Sequence, residues 1–176
     1  MYKKISIVLV CVALGGGVWY ASTQTTHKNS GELVDTSDDD KKTDTPVDAV
    51  TYFTHPLKNF SFAYDSSYTL SRFEDPVGET VLLQKEGTGI QIYSTEFTAG
   101  GTLSAARLKK EIGSTVGYAK DIEMPAGFKA VTFSTTSSDG EVWDVWFVKD
   151  KILYQITAEP GQDALLKQLV ETWNFE

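Results

Sequence analysis

Apolar and polar residues alternate with a period of two over much of the chain, most densely over residues 128–158. The sequence there runs F-K-A-V-T-F-S-T-T-S, turns at Asp139-Gly140, continues as E-V-W-D-V-W-F-V, turns at Lys149-Asp150-Lys151 and returns as I-L-Y-Q-I-T-A. This pattern predicts three consecutive antiparallel strands. In the middle strand Trp143, Val145 and Phe147 point one way, and Val142, Asp144, Trp146 and Val148 point the other. Both sets are apolar apart from Asp144, so both faces should be covered. The expectation is an α+β fold: an antiparallel sheet covered by helices on both faces, an α/β/α sandwich.

The rest of the pattern fits around that meander. Residues 52–54 are a short extended piece, 55–59 a turn and 60–64 a strand with aromatic residues on one face. Strands are predicted at 68–73 and 79–84 about a turn at 75–78, and at 90–95 after a hairpin turn at 86–89. The period then changes to that of a helix over 103–112: Thr102 or Ser104 can cap its start, Ala105, Leu108 and Ile112 share a stripe, and Gly113 can end it. Residues 114–127 are loosely patterned. A second helix follows Pro160-Gly161, with Leu165, Leu166, Leu169, Val170 and Trp173 on one stripe.

The N-terminus has a different character. Lys3 and Lys4 precede an uncharged run at residues 5–21, which as a helix would span roughly 25 Å. Trp19 and Tyr20 sit where an interfacial aromatic belt belongs, and a cleavage site with small residues at its key positions is hard to place. Residues 1–21 are therefore expected to be a retained signal anchor crossing the cell membrane once, with the N-terminus cytoplasmic and the remainder extracytoplasmic. Cys11 is a small apolar residue within that run. Residues 22–50 carry seven acids against three lysines and have no aromatic residue, which predicts an acidic disordered linker. Its Asp38-Asp39-Asp40 run lacks the later positions of a calcium loop and is expected to be solvated charge. The folded domain is then 51–176.

Composition narrows the chemistry. A net charge of −8 supplies no basic surface for phosphates, which argues against nucleic acid as a partner. With one cysteine and two histidines there is no metal-ligand spacing and no nucleophile–base pattern, so neither cofactor nor catalytic residue is assigned. His55, beside Pro56, is expected in an exposed turn. Asp144 stands out because an acid among Trp143, Val145 and Trp146 is costly to bury ionised without a partner. It could form the polar floor of a ligand-binding pocket walled by Trp146, or it could pair with Lys129 or Lys151 or reach the sheet edge.

The stretch Y-F-x-x-P-x-x-N-F-S-F-A-Y-D-S-S-Y from Tyr52, the late hairpin and the closing T-W-N-F resemble the PsbP-like family, whose opening reads Y…GFSFxYPxxW. Here Asn59 replaces the glycine, Asp65 the proline and Tyr68 the tryptophan. The resemblance covers 52–176. It implies an antiparallel sheet between helices, and in bacterial members a domain held outside the membrane by one N-terminal helix. Members bind diverse partners and share no catalytic set. The expected function is a membrane-tethered, non-catalytic module that binds or assembles with an unknown envelope protein. The alternative is a carrier of a small apolar ligand in the envelope.

Overall fold

The computed structural model describes residues 50–138 and 140–176. The predicted anchor, nearly all of the predicted linker and the turn residue Asp139 lie outside the described residues. Among the described residues, no helix is long and apolar enough to cross a membrane.

The elements run β1 (Val50–Thr54), β2 (Phe60–Asp65), β3 (Thr69–Glu74), β4 (Gly78–Lys85), β5 (Thr88–Glu96), α1 (Ala105–Ile112), a 3-10 turn (Gly113–Thr115), β6 (Val116–Glu123), β7 (Lys129–Ser137), β8 (Gly140–Lys149), β9 (Ile152–Ala158), α2 (Asp163–Thr172) and β10 (Asn174–Phe175). Seven strands form one sheet in the order β3-β4-β5-β9-β8-β7-β6, and β1-β2-β10 form a second of three. Every pairing in both sheets is antiparallel.

Local chemistry explains the turns and ends. The β4–β5 and β8–β9 connections place both of their central residues at positive φ, Glu86 (53°) with Gly87 (86°) and Asp150 (50°) with Lys151 (64°). That geometry matches the right-handed twist of the strands it joins. Ser104 caps α1 by accepting from the Arg107 backbone N–H at 3.2 Å, and Gly113 at φ 83° closes it.

The meander at 128–158 is β7, β8 and β9, and β8 is covered on both faces as its sequence requires. The cover differs from the expected helical layers. On one face Val81, Leu83, Ile90, Ile92, Val145, Phe147, Tyr154 and Ile156 pack against Phe60 and Phe62 of β2, against Leu165, Leu166 and Leu169 of α2, and against Trp173. On the other face Val131, Phe133, Trp146 and Leu153 lie under Leu108 of α1. The described residues are thus mostly antiparallel sheet with two short helices, of 8 and 10 residues, and the expected α/β/α sandwich with helices covering both faces is overturned. The physical reason is that a strand apolar on both sides demands cover without specifying its kind, and here a second sheet shares the task.

Aromatic stacking fills the sheet–sheet interface. Trp173 lies parallel to Phe60 with centroids 4.7 Å apart and 5.4 Å from Phe62, while Phe147 stacks on Tyr154 at 5.1 Å. Each such ring removed from water contributes about 1.5–3 kcal/mol.

Candidate functional site

Two polar clusters interrupt this core. The first was not foreseen. His55 follows β1 directly and is 1% exposed, stacked on Phe60 with ring centroids 4.9 Å apart. Its Nδ1 accepts the backbone N–H groups of Leu57 (3.1 Å) and Lys58 (3.0 Å). A neutral ring with Nδ1 so occupied carries its proton on Nε2, which lies 2.8 Å from both carboxylate oxygens of Glu79 on β4. Glu79 also accepts from Lys58 Nζ at 2.6 Å and from Arg72 Nε of β3 at 2.8 Å, and Lys58 Nζ donates to Ser94 Oγ on β5 at 2.6 Å. The expectation of an exposed turn histidine is therefore corrected: a chain reversal can bury its histidine when distant strands supply the partners.

The electrostatics follow from this geometry. Burial alone would raise the Glu79 pKa, but hydrogen bonds from Lys58, His55 and Arg72 outweigh it and hold the carboxylate at about 2. Burial holds His55 below its ordinary value against the opposing pull of Glu79. Both ring nitrogens are engaged within the fold, Nδ1 by two backbone N–H groups and Nε2 by the Glu79 carboxylate. The cluster joins the 55–59 turn to β3, β4 and β5.

The second cluster contains the two residues singled out in the sequence, Asp144 and Trp146. Both are buried, at 6% and 5% exposure, on the α1 face of β8. Asp144 lies between Phe133 of β7 and Thr157 of β9, and Thr157 Oγ1 donates to its Oδ1 at 2.6 Å. Thr157, rather than Lys129 or Lys151, is the partner. Burial pushes the carboxyl up to about 6, offset in part by the Thr157 hydroxyl and the neighbouring Trp146 indole. That indole N–H nevertheless makes no well-formed hydrogen bond. The structure thus places Asp144 and Trp146 as buried neighbours on one face of β8.

A shallow cleft of about 390 Å³ opens where the two sheets meet, between the 57–59 turn, the β8–β9 turn and β10. Leu57, Ile152, Tyr154 and Phe175 supply its apolar lining, and Lys58 and Lys149 line it as well. Burial, then the charges of Asp150 and Glu79, push the Tyr154 hydroxyl up to about 12. Among the described residues no three acidic, histidine or cysteine side chains gather as a metal would require.

No family model and no curated protein sequence matches the chain. Among solved structures, the chain is similar to cyanobacterial PsbP from Synechocystis, with 10% identity and a TM-score of 0.57 over 74% of this chain and 94% of that one. It also aligns with a GTP-binding regulator from Thermotoga maritima at 18% identity, over 61% of this chain and 78% of that one, but a TM-score of 0.36 carries no argument. At 10% identity the first likeness speaks to architecture alone, and on that ground residues 50–176 have a PsbP-like fold.

Proposed function

We propose that the chain is a membrane-tethered, extracytoplasmic module that binds a protein partner in the cell envelope and performs no catalysis. The observation that carries this reading is the position of two exposed apolar side chains. Leu57 is 79% exposed and Val77 68% exposed, and each lies two residues from one end of the buried His55–Glu79 pair. Apolar groups held in water on a rigid frame are suited to desolvation by a partner. The apolar run at 5–21, flanked by Lys3 and Lys4, and the acidic stretch after it support the tethered placement. The stacked aromatic filling around Trp173 weighs against a carrier that must open an apolar interior for a ligand.

The test is site-specific photo-crosslinking in cells with the full chain carrying the crosslinker at position 57. A discrete adduct with an envelope protein, absent with the crosslinker at exposed Glu171, supports the reading. Adducts of equal yield at both positions, or none at 57, contradict it.

A further inference from the structure

Among the described residues, four strands end the two sheets. β3 carries Arg72 and Glu74, β6 has a register shift between Val116 and Ala119 together with Lys120, Asp121 and Glu123, and β10 is two residues long. Charge, bulging and shortness are the devices that keep a sheet edge from pairing with another chain. β1, with the sequence V-T-Y-F-T, has none of them.

The direction of its backbone groups follows from β2. Ala63 is the partner of Tyr52, yet the Ala63 N–H donates to Thr172 Oγ1 at 2.9 Å, away from β1. Tyr52 and Ala63 therefore form a non-hydrogen-bonded pair, and by antiparallel alternation Val50, Tyr52 and Thr54 direct their N–H and C=O groups away from β2. The His55 N–H, which donates to Phe60 O at 2.8 Å, has the parity this requires. The same alternate residues leave Val50 55% and Tyr52 74% exposed.

We propose that β1 pairs antiparallel with β1 of a second copy of this chain, about a two-fold axis at Tyr52, joining the two three-stranded sheets into one continuous sheet. Tyr52 then faces its own copy in a hydrogen-bonded pair, and Val50 faces Thr54 of the partner subunit, so every outward backbone group of the strand finds its complement. Self-pairing suits this strand for a reason of charge. A two-fold sets like beside like, which would oppose identical charges in a charged strand, whereas β1 brings together two tyrosine rings and no charge. The Tyr52 ring makes neither a hydrogen bond nor a ring contact among the described residues, so nothing within the fold has to be broken.

Disulfide trapping in the full chain tests the pairing independently of any envelope partner. In a Cys11→Ser background, Tyr52→Cys should cross-link to itself under mild oxidation, because facing Cα atoms in such a pair stand about 5.5 Å apart, within disulfide reach. Thr51→Cys should not, and Val50→Cys and Thr54→Cys should cross-link only when the two variants are co-expressed. Tyr52→Pro, which removes the outward N–H and leaves the bonds to β2, should reduce the detergent-solubilised parent from dimer to monomer. Absence of a cross-link at 52, equal cross-linking at 50, 51, 52 and 54, or a proline variant of the parent's size would overturn the proposal.

Discussion

His55 Nε2 lies 2.8 Å from both carboxylate oxygens of Glu79, joining the turn after β1 to the fourth strand across 24 residues of sequence. Removing the ring deprives a buried carboxylate of one donor and leaves two backbone N–H groups without their acceptor. His55→Ala is expected to cost about 2–4 kcal/mol, read by urea unfolding. A loss below 0.5 kcal/mol would show that the ring is not part of the frame.

The carboxylate at the centre gives a pH signature. The Glu79 pKa is about 2 in the folded chain against 4.5 ordinarily, so the unfolded chain takes up this proton first as the pH falls. The resulting stability is fully present above about pH 5 and is lost as the pH falls toward 2, and the shift corresponds to about 3 kcal/mol. Glu79→Gln should therefore be less stable than the parent at pH 7, with the difference narrowing toward pH 2. Unfolding midpoints across that range check this.

Asp144 has the opposite sign. Its folded pKa of about 6 lies above the ordinary 3.8, so the folded chain holds the proton more tightly. The Asp144 contribution to stability is highest below about pH 4 and falls as the pH rises through 6, by about 3 kcal/mol in all. Asp144→Asn should thus raise the melting temperature at pH 8 and leave it nearly unchanged at pH 4. A lower melting temperature at pH 8 would mean that the ionised carboxylate is stabilising where it sits.

Trp173 tests the aromatic filling. It is 1% exposed and stacks on Phe60 and Phe62, so Trp173→Ala is expected to cost about 3–5 kcal/mol by denaturant unfolding. Trp173→Phe should recover much of that loss.

Where local pattern decides structure, the sequence was readable. The meander β7–β9, the Leu165, Leu166 and Leu169 stripe of α2 and the Gly113 end of α1 follow from period and capping chemistry; the structure chooses Ser104 over Thr102 as the cap of α1 and places Trp173 just past the end of α2. β6 was not legible, because V-G-Y-A-K-D-I-E is a bulged edge strand, and solvent on its outer side blurs the alternation. The helical sandwich failed because apolar β8 faces call equally for a helix or for strands such as β2. The Asp144 oddity was visible as an acid among tryptophans, but its partner Thr157 depends on the β8–β9 register. His55 was misplaced because its partners Glu79 and Lys58 form a site only after β1, β4 and the 55–59 turn have assembled.

The central claim is that the folded domain presents an apolar protein-binding surface on this frame. Its most direct measurement is affinity purification of the full chain from solubilised membranes, comparing the parent with a Leu57→Ser, Val77→Ser double variant of equal stability. The account predicts an envelope protein in fixed ratio to the parent and at least a tenfold loss with the variant. Recovery of the same protein by both in equal amount, or of none by the parent, would contradict it.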